Sequence, residues 1–161
     1  MLRQTLSGIG FFVLIPMISL CASTQGGQFT SPIPVHATGV DGVIFPADMK
    51  AFQTQFPKGV RYWTPSESDV LVAEHELIPF LGRSHDARIR EILSKIKTYK
   101  RQYVGVVIAG HKYVYFNLFC VAPNYWTRAE VVVLDGGTCF FNVRFSSETK
   151  AFSELRLNGV A

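Results

Sequence analysis

Four histidines and three cysteines are thinly spread along 161 residues. No two histidines stand at metal-ligand spacing, so neither a metal centre nor another cofactor is expected. His75-Glu76 opens like a zinc-protease signature, but Pro79 occupies the place of the second histidine. Glu74, His75 and Glu76 therefore read as a polar helix face. Asp135-Gly136-Gly137 lacks the following helix that would supply an anion-binding N-terminus, so a phosphate loop is not indicated. No internal repeat is present, and no nucleic-acid partner is expected. No catalytic constellation stands out. An enzyme, a small hydrolase using Glu74, His75 or Asp135, is kept as an alternative.

The one long apolar run, Ile9 to Leu20, is short for a membrane span. Arg3 precedes it and the small residues Cys21, Ala22 and Ser23 follow, which is the build of a secretory signal over residues 1–23. Export to the periplasm or the exterior is the expectation. The alternative is a lipid anchor at Cys21, since "ISLC" resembles a lipobox, although Leu20 is larger than that motif prefers. Residues 24–42 are rich in Gly, Ser, Thr and Pro without a period, and read as a flexible arm. Residues 43–161 remain for a single domain.

Periodicity divides that domain. Val70, Ala73, Leu77 and Leu81 form a helical stripe, with Thr64, Pro65 and Glu67 placed to cap its start and Gly82 to stop it. Ile89, Ile92, Leu93 and Ile96 mark a second helix over about Ser84–Thr98. "GVIFP" suggests a short strand, and Pro46–Phe52 one or two helical turns. From Tyr99 the pattern alternates. Strands are expected at Arg101–Ala109, Lys112–Val121, Glu130–Asp135, Thr138–Phe145 and Phe152–Leu157, with turns at Gly110-His111 and Gly136-Gly137. The fold class is α+β: a largely antiparallel meander of four to five strands with two amphipathic helices on one face.

The segments "YWTPSESDVLVAE", "YKRQYVGVV", "VVVLDGGTCFFNVRF" and "FSELRLNGVA" resemble those of small exported bacterial proteins of uncharacterised function. The resemblance runs from about Val43 to Ala161. It implies export and one α+β domain, and it carries no activity, substrate or catalytic residue.

In such a meander Glu130–Asp135 separates the strands of Cys120 and Cys139. Next-but-one strands lie about 10 Å apart, whereas a disulfide needs Cα atoms within about 7 Å. An oxidising compartment favours the bond and the meander opposes it; the expectation is an unbridged Cys139 in the core. There it shares a face with Val132, Leu134, Phe141, Val143 and Phe145, where burial makes a thiol a poor nucleophile.

Two surfaces invite partners. On the other sheet face, Tyr113, Tyr115, Asn117, Phe140, Asn142 and Arg144 combine rings, amides and one guanidinium, which suits a protein, peptide or glycan. Alternatively the preceding segment, with Phe45, Phe52 and Phe56, covers that face as a second core layer. Seven basic residues lie between Arg83 and Arg101 against Asp86 and Glu91. Of these, Arg88, Lys95, Lys97, Lys100 and Arg101 could meet an anionic envelope surface, or simply line a solvated helix. The functional expectation is an exported binding module of the bacterial cell envelope. A structural envelope protein is the other non-enzymatic alternative.

Overall fold

A computed structural model describes residues 31–49, 52 and 54–159. The expected signal segment, residues 1–23, with Cys21, lies outside the described residues. Among the described residues seven strands and two α-helices follow in chain order: β1 Ile33–Ala37, β2 Val40–Phe45, β3 Arg61–Trp63, α1 Glu67–Gly82, α2 Ala87–Lys95, β4 Lys100–Ile108, β5 His111–Phe119, β6 Phe140–Ser146 and β7 Phe152–Leu157. The strands form one sheet in the order β1-β2-β4-β5-β6-β7. The α+β class holds, but the sheet is larger than the expected meander and is mixed. β4 to β7 run antiparallel, each beside the next. β2 lies parallel to Lys100–Val104 of β4, while β3 runs antiparallel to Gly105–Val107 on the same edge. A parallel neighbour requires a crossover. Here the crossover from β2 to β4 carries β3 and both helices.

The supposed arm supplies β1 and the start of β2. Its Gly and Pro content hides a hairpin whose turn needs Gly39 at φ +75°, a conformation glycine adopts without steric cost. Val35 of β1 is buried. The β4–β5 turn is Ala109-Gly110, both at positive φ, rather than Gly110-His111.

α1 takes its cap two residues later than expected, at Ser66. Ser66 Oγ accepts from the Asp69 amide at 3.2 Å and Asp69 returns a carboxylate to the Ser66 amide at 2.9 Å, a reciprocal capping box. The Ser66 hydroxyl also donates to the Asp69 carboxylate at 2.6 Å, and this bond, with the one from the Ser66 amide, holds the Asp69 carboxyl below its ordinary range. Thr64 is used elsewhere, accepting from the Ala47 amide at 3.0 Å. Asp86 caps α2 by accepting from the Arg88 amide. Val70, Ala73, Leu77, Leu81, Ile89, Ile92 and Ile96 are buried against Val114, Phe116, Leu118, Phe141, Val143 and Phe145 of the sheet, so both helical stripes meet one sheet face.

The expected strand at Glu130–Asp135 does not form. β5 pairs directly with β6, from Tyr113↔Ser146 to Phe119↔Phe140, and residues 120–136 form an irregular excursion that carries no strand. Two buried side-chain amides hold it. Gln102 Nε2 donates to the carbonyls of Trp126 and Ala129 at 2.5 and 2.7 Å, and its Oε1 accepts from the Val131 amide. Asn117 Nδ2 donates to Gln102 Oε1 and to the Val131 carbonyl. These bonds satisfy backbone groups that a neighbouring strand would otherwise have taken. Leu134, 85% exposed, and Val132 consequently lie outside the core. Gly136 and Gly137 make no two-residue hairpin. Their amides donate to the Gly159 carbonyl at 3.0 and 2.9 Å, and Gly137–Cys139 forms a 3-10 turn.

With no strand between them, Cys120 and Cys139 become neighbours. The Cys120 amide donates to the Cys139 carbonyl at 2.9 Å. The Cα atoms stand 5.0 Å apart and the sulfurs are bonded. The expectation of an unbridged Cys139 is thereby overturned. It failed because it placed a strand where side chains do the pairing.

Candidate functional site

The sheet face opposite the helices has its own apolar cluster. Phe45, Val43, Val104 and Val106 lie in it with Phe52 and Tyr115. Phe52 and Phe56 meet the Tyr115 ring edge-on, at centroid distances of 5.8 and 5.0 Å. Burial raises the Tyr115 hydroxyl pKa above its ordinary value. At the far end Trp126 of the excursion packs on Phe119 at 6.0 Å. Two chain segments therefore cover this face from opposite sides.

A groove remains between them. It consists of two adjoining cavities of about 370 and 400 Å³ that share Gln55, Asn142 and Arg156. Asn117 and Phe140 border the first; Tyr115 and Arg144 border the second. Five of the six expected site residues are thus brought to one groove. Tyr113 borders neither cavity and lies beneath the Arg144 guanidinium, 5.5 Å from the ring centroid. Asn117 is committed to the excursion. Asn142 is half-buried in the middle, and its side-chain amide makes no hydrogen bond to a described residue.

The groove's charge comes largely from residues missed in the sequence. Between β6 and β7 the register shifts, so that Asn142 faces Arg156 while Arg144 faces Ser153. One extra residue on β7 makes a bulge, and bulges re-aim side chains. Glu154 sits there at φ +53°, in a region that non-glycine residues seldom occupy. Its carboxylate forms an ion pair with Arg144 and accepts from Arg156 Nη2 at 3.3 Å. Burial, with Arg156 nearby, lowers the Arg144 pKa from its ordinary value. Arg144 Nε is buried without a hydrogen-bond partner among the described residues. The alternation of "FSELRL" marks β7 as a strand. Only the register reveals that Glu154 meets both Arg144 and Arg156.

The residues kept for an enzymatic alternative do not converge. Glu74 and His75 border a cavity of about 240 Å³ beside the β1–β2 turn, which Asp135 does not border. Glu74 is not part of a polar surface: it is buried, 3.1 Å from Arg101 Nε, and accepts from the Tyr103 hydroxyl at 2.8 Å. Among the described residues no group of three His, Cys, Asp or Glu could hold a metal ion.

The five basic residues do not form one surface either. Arg101, 2% exposed, donates to the carbonyls of Tyr99 and Ile96 beneath the helices. Lys100 projects from the opposite sheet face, paired with Asp41 and 5.8 Å from the Trp126 ring centre. Arg88 pairs with Asp86 and Lys95 with Glu91 on the outer face of α2. Lys97 borders the cavity beside the β1–β2 turn. Among the described residues no helix is long and apolar enough to cross a membrane. Comparison with family models, with curated proteins and with solved structures finds no match for this chain.

Proposed function

We propose that this protein is an exported binding module of the bacterial cell envelope, and that its ligand lies in the groove over β6 and β7. The carrying observation is Asn142. Its amide is free of any described partner at the junction of two cavities, with Arg156 bordering both, Phe140 lining one and Arg144 the other. Concave sites with a few placed polar groups are the usual form of ligand sites. The leader-like residues 1–23 support export. The Cys120–Cys139 bond accords with an oxidising compartment.

The test is a two-dimensional amide spectrum of the labelled protein, titrated with a panel of defined peptides and envelope glycan fragments. At least one should shift the side-chain amide of Asn142 and the backbone amides of Arg144 and Arg156, and Asn142→Trp, which fills the junction, should remove the backbone response while the spectrum stays dispersed. A response that survives Asn142→Trp, or shifts confined to residues outside the groove, would place binding elsewhere and end the proposal.

A further inference from the structure

The groove already contains a carboxylate between two guanidiniums, and it is the protein's own. Glu154 reaches both Arg144 and Arg156. It does so from a bulge, with backbone in the left-handed region. Such backbone is unfavourable for a residue with a β-carbon and recurs at ligand sites. The Glu154 side chain is nearly half exposed, so it can be displaced. Arg144 is mostly buried, anchored over Tyr113, and its Nε has no partner among the described residues. Two guanidiniums against one carboxylate leave the site with an excess positive charge. A planar fork of donors beside a second guanidinium suits carboxylate geometry.

We infer that the groove binds an extended peptide through a carboxylate, which Arg144 and Arg156 hold where Glu154 now lies. The inference rests on the groove being the ligand site. A peptide fits better than a glycan because the rings of this face are already engaged. Tyr115 is met by Phe52 and Phe56, Tyr113 lies under Arg144, and Phe119 is packed by Trp126 and Phe140. Sugar recognition through an aromatic platform would need a free ring face. Asn142, by contrast, offers one donor group and one acceptor, which match the acceptor and donor of a peptide unit. Glu154 then acts as an internal competitor for the same two cations.

Four probes test this on the full chain: acetylated tetra-alanine with a free C-terminal carboxylate, the same peptide amidated, an amidated version with one internal aspartate, and trigalacturonate. The readout is the dissociation constant from the Asn142 amide shift. A carboxylate-bearing peptide should bind, and the neutral one should be about tenfold to a hundredfold weaker, the range for losing a hydrogen bond to a charged group. The free-terminus and aspartate arms show which carboxylate is taken. Arg156→Gln should weaken the acidic peptide about tenfold or more, whereas Glu154→Gln should tighten it about threefold or more by removing the competitor. A merely structural Glu154 would not tighten binding.

Equal affinity for acidic and neutral peptides overturns the inference, as does weaker binding by Glu154→Gln with its spectrum still dispersed. Binding of trigalacturonate alone replaces the peptide by an acidic glycan and leaves the groove intact as a site. Silence from all four overturns the carboxylate inference, and the broader panel then decides whether the groove binds anything.

Discussion

Arg101 Nε lies 3.1 Å from Glu74 Oε1, and both side chains are withdrawn from solvent between α1 and β4. Burial pushes the Glu74 carboxyl above its ordinary 4.5, against the opposing influence of Arg101 and the Tyr103 hydroxyl. A carboxyl raised in the folded state favours folding while protonated. Its contribution is full below about 4.5 and is lost as pH rises through the folded value. Wild-type stability should therefore rise relative to Glu74→Gln as pH falls through that window, and level off below it. Denaturant titrations of both proteins from neutral to acid pH measure this.

Removing one partner of that pair should be costly at neutral pH. Arg101→Met leaves a buried carboxylate uncompensated, at a cost of about 3–5 kcal/mol. It also strands the Tyr99 and Ile96 carbonyls. The double variant Glu74→Gln, Arg101→Met should recover part of the loss. A double-mutant cycle in urea gives the coupling, and a loss no larger than that of an exposed arginine would show the pair to be solvated.

The Cys120–Cys139 bond closes a loop with a sequence separation of 19. Chain-entropy reasoning assigns such a loop about 3 kcal/mol. Neither thiol should alkylate in denatured, unreduced protein, and Cys120→Ser with Cys139→Ser should lower stability by about that amount. Labelling before reduction would mean that the bond is absent.

Gln102 is wholly buried and serves three backbone groups of the excursion together with Asn117. Gln102→Leu keeps the volume but leaves those groups unpaired, at about 1–3 kcal/mol each where they stay dry. The transition should fall markedly and hydrogen exchange should quicken at Val131. Unchanged exchange there would show that the excursion is held by other means.

Tyr115 combines two roles, since its ring lies in the second core layer while the residue borders the groove. Tyr115→Ala should destabilise by about 3–5 kcal/mol, as large aromatic truncations do. Asn142→Ala should cost far less, because its amide holds nothing among the described residues. Comparable losses at both positions would place Asn142 in the core.

Local periodicity was enough to locate α1 and α2 and the strands β4 to β7, and to place Tyr115, Asn117, Asn142 and Arg144 on one face. Burial repeats every two residues in a strand and every three to four in a helix, so each element carries its own record. Tertiary structure alone decided which elements become neighbours. "VVVL" has the composition of a strand, yet Gln102 and Asn117, remote in sequence, hold both backbone groups of its first residue, Val131, and Leu134 is left in water. That displacement made neighbours of Cys120 and Cys139. Glu74 looked solvated until the turn of α1 set it over Arg101. Arg156 and Glu154 entered the groove through a register shift of one residue on β7. Register, bridge and buried charge each depend on distances between residues far apart in the chain, and these are defined only when the sheet closes around its core.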